Sequence, residues 1–234
     1  MPPIETFIFA FLGGLLPALL WLWFWLRQDK HPEPKRLIFL AFFMGMLSVP
    51  FVVPFERYAQ GIFTGTMMIA SWAAIEELLK FGFAYFSVLR RKELNEPIDA
   101  VIYMISIALG FAALENTLFL VEPIADGDLV TSILTGNFRF LGATLLHVLS
   151  SATVGVFMAL SFYRGKKVRS LFTIVGLILA ILLHTLFNFF IINSNETNIL
   201  LVFAFVWAGI VALMLMLEKI KRIKQKCWSL IKRK

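Results

Sequence analysis

Residues 98–121 read IDAVIYMISIALGFAALENTLFLV, an apolar stretch long enough to cross a membrane as a helix. About 20 mostly apolar residues, rising 1.5 Å each, span a hydrocarbon core about 30 Å thick. Six similar apolar stretches precede or follow it, and short polar joints separate them. The predicted transmembrane helices are therefore seven: residues 7–26, 37–54, 64–88, 98–121, 138–162, 170–192 and 199–217.

The composition excludes a soluble protein. Hydrophobic residues make up 59% of the chain and charged residues only 16%, whereas soluble domains have about 45–50% and about 25%. The single cysteine, Cys227, excludes an intramolecular disulfide and any cysteine-rich metal site. We therefore expect an all-α polytopic protein of the plasma membrane, with one transmembrane domain over residues 1–217 and a basic tail over residues 218–234.

The positive charges predict the orientation. Most of the 22 lysines and arginines lie in the tail and in the joints after helices 1, 3 and 5, and few lie in the other joints. By the positive-inside rule the basic side is cytoplasmic, so the N-terminus is predicted outside and the C-terminus inside. The net charge of +7 then reflects topology, and the expected partner is the lipid bilayer and not nucleic acid. The joints expected on the outer side are residues 55–64, 121–137 and 193–198.

A few ionisable and amide side chains interrupt the apolar helices. Such groups are costly inside a bilayer and indicate a functional site by default. They recur four residues apart, on one helix face, and the rise per residue places them between about 9 and 18 Å from the outer helix ends. The predicted active site therefore lies within helices 3–6, in the outer half of the membrane; its members are Glu76, Glu77, Glu115, His147, His184 and Asn188.

Two chemistries suit this set of side chains. Carboxylates and histidines can hold a divalent metal that activates water, with His147, His184 and Glu115 as the predicted ligands of a zinc ion. Alternatively, a buried glutamate alone activates the water, and the histidines with Asn188 stabilise the oxyanion. Covalent catalysis is disfavoured, because there is no serine nucleophile motif and Cys227 lies in the tail with no histidine nearby.

Four motifs follow one another on separate predicted helices: Glu76-Glu77-Leu78-Leu79-Lys80, Phe111-Ala112-Ala113-Leu114-Glu115-Asn116, His147, and His184-Thr185-Leu186-Phe187-Asn188. Two further motifs flank them, Asp29-Lys30-His31-Pro32-Glu33-Pro34 after helix 1 and Glu96-Pro97-Ile98-Asp99-Ala100 before helix 4. Together these motifs resemble the PrsW family of intramembrane proteases, a relative of the CAAX prenyl protease and bacteriocin-processing group.

The resemblance implies cleavage of a membrane-anchored protein on the extracytoplasmic side, and a single-pass protein such as an anti-sigma factor is the substrate of well-known members. It also implies that the motif glutamates and histidines are catalytic. By analogy with the CAAX group, Glu76 would activate the water and Glu115 would stand where those relatives have a histidine. His147 and His184 would complete the site, with Asn188 assisting the oxyanion. Whether a metal is required stays open.

Two other functions are compatible with buried glutamate and histidine. A proton-coupled transporter could use them as a relay, although the sequence shows no inverted repeat or paired broken helices. A non-catalytic membrane scaffold or immunity protein could carry them as a vestigial site.

Lys80 is expected to act mainly as a structural counter-ion to a buried carboxylate.

Overall fold

The computed structural model describes residues 2–193 and 199–223, and this part of the chain is helical, without a β-strand. Two short π-helical segments, Tyr85–Leu89 and Arg139–Ala143, continue α3 and join α5 to α6. The α-helices are α1 (Ile4–Leu26), α2 (Lys35–Gln60), α3 (Gly65–Ala84), α4 (Pro97–Ala125), α5 (Leu129–Phe138), α6 (Thr144–Leu160), α7 (Lys166–Ile192) and α8 (Ile199–Ile220).

Six helices of the described chain are long and apolar enough to cross a membrane, with α5, the π segment and α6 counted as one helix over Val130–Leu160. The exception is α3, the predicted third crossing, which carries Glu76, Glu77 and Lys80 within 20 residues. The all-helical architecture of a multi-pass membrane protein is confirmed. The tail predicted over residues 218–234 begins inside α8, and residues 224–234 lie outside the described part.

Two predicted joints are wrong, because helices continue through them. The joint predicted at residues 121–137 is almost entirely helical; the chain breaks only between Ala125 and Leu129, where Gly127 has φ of +71° and the Asp128 side chain caps α5 by accepting from the Thr131 amide at 2.9 Å. Likewise α2 runs past Pro54 to Gln60. Polar residues marked these stretches as loops, but a helix stays helical where it passes beyond the apolar core.

Helix α4 is the centre of the bundle and is buried along most of its length. It packs against α1, α2 and α6 through glycines, at which the backbones come into direct contact. A Cβ on Gly110 would collide with the Phe42 carbonyl, and one on Gly45 with the Ile107 carbonyl. Small residues at helix crossings are how helices approach closely in membranes. This close packing fixes the height of α4 against its neighbours.

The two flanking motifs meet at the end of the bundle that carries the basic loops. The Asp99 carboxylate accepts from the Glu96 amide at 2.6 Å as part of a capping box at the start of α4. Tyr103 donates to the Glu33 carboxylate, and His31 Nδ1 lies 3.1 Å from Glu96. These bonds tie the loop between α1 and α2 to the N-terminus of α4, so both motifs have a structural role here.

Asp29, in the same loop, has a buried oxygen, Oδ2, without a hydrogen-bond partner in the described structure. Burial and the nearby Glu96 charge raise the pKa of the Asp29 carboxyl, against the opposing effects of His31 and Lys221. A raised pKa in the folded state makes the ionised form destabilising, so the stability penalty is absent below pH 3.8 and grows as the pH rises through the folded-state pKa.

We therefore predict that Asp29→Asn raises the melting temperature at pH 8 and that this gain shrinks towards pH 4. The asparagine keeps the acceptor that the His31 amide uses at 2.9 Å. Thermal unfolding of the purified protein in detergent at several pH values measures the difference, with the exposed Asp126→Asn as control. A gain that is equal at both pH values would contradict the burial of an ionised Asp29.

Candidate active site

Glu77 is fully buried and forms the hub that links three helices. Its Oε1 accepts from Lys80 Nζ at 2.9 Å, from Ser150 Oγ at 3.0 Å and from His184 Nδ1 at 3.0 Å. Its Oε2 accepts from Ser151 Oγ at 2.8 Å. A buried carboxylate is tolerated only when it is paired and hydrogen-bonded, and α3, α6 and α7 together supply the donors.

Glu76 is the next residue of α3 and is rotated by about 100° from Glu77, so it faces a cavity and not the hub. Its Oε2 lies 3.8 Å from His147 Nδ1 and 3.8 Å from His184 Nε2. One donor atom from each of these three residues lies within 4.8 Å of the others. All three side chains are buried, and they form the one candidate metal group within the described residues.

The hydrogen bonds on the far side of each histidine assign its tautomer. His184 Nδ1 lies 3.0 Å from Glu77 and His147 Nε2 lies 3.0 Å from Glu115. An ionised carboxylate only accepts, so these nitrogens carry the protons. The opposite nitrogens, His184 Nε2 and His147 Nδ1, are therefore unprotonated and lie on the side of Glu76, and carboxylate partners orient histidine ligands in this way.

Glu115 is held by a second set of contacts and lies behind His147. Arg139 donates to Glu115 and, at 2.6 Å, to Asn116, and its guanidinium carbon lies 3.8 Å from the centre of the Phe119 ring. Arg139 is the first residue of the second π segment. Single π-helical turns often occur at functional sites, and this one directs a cation to a carboxylate on α4.

A cavity of about 530 Å³ lies beside these groups, in the half of the bundle opposite the basic loops. Its walls are mostly apolar, with side chains such as Val52, Ile69 and Leu146, and its polar lining consists of seven side chains. They are Glu56, Glu76, Glu115, Arg139, His147, His184 and Asn188. A mainly apolar pocket with a few convergent polar groups is the usual form of a ligand or active site.

The family model of the PrsW family intramembrane metalloproteases matches residues 33–217. This chain belongs to that family. It is similar to Protease PrsW of Geobacillus kaustophilus (strain HTA426), with 29% identity over 221 residues that cover 91% of each chain. It is also similar to Protease PrsW of Bacillus subtilis (strain 168), with 26% identity over 86% of this chain and 92% of the relative. No solved structure matches the chain significantly.

Membership of the family confirms the resemblance inferred from the motifs and establishes the protein as a multi-pass intramembrane protease. The buried group of Glu76, His147 and His184 is consistent with the metalloprotease description. The same buried group favours a protease over a transporter or a non-catalytic scaffold, the two alternatives that the sequence alone leaves open.

The structure brings most of the predicted site residues to one cavity: Glu76, Glu115, His147, His184 and Asn188. Glu77 does not line it and lies behind His184 instead. The predicted ligand set joined Glu115 to the two histidines, whereas the candidate metal group of the structure contains Glu76 with the two histidines. Glu115 contacts the opposite nitrogen of His147.

Three side chains at the site were not among the candidates. Glu56 lines the cavity from α2, but the predicted helix ended at residue 54, before it. Arg139 lies at the start of the fifth predicted helix and was not assigned to the site. Phe111, named only as part of a helix motif, stands edge-on to His147 with ring centres 5.2 Å apart. The sequence does contain a signal for Glu56 and Arg139. Both are charged residues next to a predicted helix end, where a site in the outer half of the membrane would have further polar side chains.

The donor set fits a zinc ion. One carboxylate and two imidazoles are ligands of known catalytic zinc sites, with bonds of about 2 Å, so donors 3.8 Å apart can share one ion. His184 Nε2 has no hydrogen bond in the described structure, and its lone pair faces the Glu76 carboxylate. A cation placed between these two electron-rich atoms would make their approach favourable.

We predict that His147→Ala, His184→Ala and Glu76→Gln each abolish stoichiometric zinc binding, since each removes one ligand. Glu115→Gln leaves the ligands in place and weakens binding by about 10–100-fold, the usual effect of losing a hydrogen-bonding partner of a ligand. Elemental analysis and competition with a chelator measure both effects in the purified protein. Zinc retained by Glu76→Gln but lost by Glu115→Gln would favour the ligand set predicted from the sequence.

Proposed function

We propose that this protein hydrolyses a peptide bond of a single-pass membrane protein in the cavity, with Glu76, His147 and His184 holding a divalent metal. The observation that supports this is the convergence of these three side chains at the wall of a 530 Å³ cavity in a chain of an intramembrane metalloprotease family. A metal bound there would supply Lewis-acid chemistry, polarising the substrate carbonyl and making water a nucleophile at neutral pH.

Glu77 and Glu115 are positioning residues in this proposal. Each accepts a hydrogen bond from the non-ligating nitrogen of one histidine and so fixes both the ring orientation and the tautomer. Arg139 in turn fixes Glu115. With its partner carboxylate held in this way, each imidazole keeps one unprotonated nitrogen on the side of Glu76.

Two further polar groups line the cavity: Asn188, and Glu56, whose carboxylate lies beside that of Glu76. Asn188 lies one helical turn after His184 and lines the cavity, and no hydrogen bond engages its side chain in the described structure. Its amide can therefore donate to the oxyanion that develops on the substrate carbonyl. Glu56 forms no salt bridge in the described part of the chain, so its carboxylate can take a proton from the attacking water and return it to the leaving amine.

The position of the cleaved peptide bond depends on how the protein is oriented in the membrane. The cavity is formed by the last turns of α2 and α7 and by the beginning of α6, at the opposite end from the basic loops. If those loops are cytoplasmic, as the positive-inside rule predicts, the bond that is cut lies near the extracytoplasmic face. An anti-sigma factor is a substrate class that the family resemblance suggests, and the apolar walls suit a transmembrane segment.

Co-expression with tagged single-pass membrane proteins tests this function. We expect the wild type to release a fragment whose new terminus, mapped by mass spectrometry, lies at the extracytoplasmic end of the transmembrane segment. Glu76→Gln should abolish the fragment, because it removes a ligand. A cut at the cytoplasmic end, or undiminished cleavage by Glu76→Gln, would contradict the proposal.

The role of Glu56 has a test of its own. We predict that Glu56→Gln lowers the cleavage rate by about 10²–10⁴-fold, the typical contribution of a general base or acid, while bound zinc stays at the wild-type level. Glu122→Gln, an exposed glutamate near the end of α4, is the matched control and should cleave normally. Wild-type cleavage by Glu56→Gln would show that this carboxylate takes no part in proton transfer.

A further inference from the structure

The Lys80 ammonium contacts two of the three members of the candidate metal group, Glu76 and His147. It is fully buried, and Nζ lies 3.1 Å from Glu76 Oε2, 2.9 Å from Glu77 Oε1 and 2.9 Å from His147 Nδ1. Below it, the centre of the Phe111 ring is 4.0 Å away. An ammonium has three donors and no acceptor, so these three acceptors use all of its hydrogen-bonding capacity.

Two of those three acceptors are atoms that a metal needs. Glu76 Oε2 is the oxygen that faces both histidines, and His147 Nδ1 carries the one lone pair of that ring. A ring nitrogen with one lone pair can accept a hydrogen bond or bind a metal, but not both at once. Lys80 in its present position and a divalent cation therefore exclude each other at His147.

We propose that Lys80 is an internal cation that occupies the metal position in the metal-free protein and must release Glu76 and His147 when the metal binds. This inference rests on the metal site of the proposed function, but not on the identity of the substrate. Lys80 is then more than a structural counter-ion, because it sets the affinity of the site for the metal.

The arrangement has a physical reason. Without a cation, the adjacent carboxylates of Glu76 and Glu77 would be buried with no compensating charge, which is strongly destabilising in a membrane interior. Lys80 supplies that charge before a metal arrives and keeps the two ligands in place. After the metal binds, Glu77 and the Phe111 ring remain as partners for the ammonium.

The test compares zinc affinity in the full-length wild type, Lys80→Met and Lys80→Arg, purified in detergent, by competition with a chelator. Lys80→Met removes the competing charge and keeps the aliphatic stem, so we expect zinc to bind roughly 10- to 1,000-fold more tightly, as expected when a like charge is removed at this distance. Lys80→Arg keeps the charge and should show no such gain.

Melting temperatures provide a second readout that a purely structural lysine would not produce. By linkage, metal-free Lys80→Met should melt below the metal-free wild type, and zinc should raise its melting temperature by more than it raises that of the wild type. If Lys80→Met does not fold without zinc, Lys80→Gln, which keeps a neutral donor, takes its place in both measurements.

The outcomes separate this inference from the function on which it rests. Zinc bound by the wild type but no more tightly by Lys80→Met, with equal zinc-induced shifts in melting temperature, would overturn the role of Lys80 and leave the metal site intact. No zinc bound by either protein would overturn both the internal cation and the metal site. Tighter binding by Lys80→Met supports the inference whether or not a substrate has been identified.

Discussion

The burial of Glu77 is the constraint on which the rest of the site depends. A carboxylate with no solvent exposure must be matched by donors, and here they come from Lys80 on α3, two serines on α6 and His184 on α7. Removing one partner of such a buried pair typically costs about 3–5 kcal/mol. The same bonds that neutralise the charge therefore hold three helices in register and orient a histidine at the cavity.

Adjacent glutamates have different roles because of helix geometry. Residues one apart are rotated by about 100°, so Glu77 points into the bundle when Glu76 points into the cavity. Each histidine is then placed between two carboxylates: His184 between Glu77 and Glu76, and His147 between Glu115 and Glu76. One carboxylate of each pair fixes the proton of its histidine, and Glu76 lies on the side of the two unprotonated nitrogens.

Much of this could be predicted from the sequence. Long apolar stretches identified the helices, since a membrane span requires a minimum number of apolar residues, and intramembrane polarity identified five of the seven polar side chains that line the cavity. Which glutamate faces inward could not be predicted, because it depends on the rotation of α3 against α6 and α7. The exchange of Glu115 for Glu76 in the metal group has the same origin.

Other errors have local causes. Glu56 was missed because the apolar stretch of the second predicted helix ended at residue 54, whereas α2 continues past Pro54 to Gln60. The role of Arg139 depends on a π segment, whose wider turn changes the face on which later residues lie and has no clear sequence signal. Hydropathy also predicted a polar joint at residues 121–137, although helices extend beyond the apolar core and break only around Gly127.

We propose that one carboxylate and two imidazoles, His147 through Nδ1 and His184 through Nε2, form the metal site. X-ray absorption spectroscopy at the zinc edge of the zinc-loaded, full-length protein identifies the ligands of the bound ion. We expect the multiple-scattering signature of two imidazoles together with oxygen ligands and no sulfur, and we expect His147→Ala to lose this signature because it lacks one ligand. A spectrum of oxygen ligands alone, or one that is unchanged in His147→Ala, would contradict this ligand set.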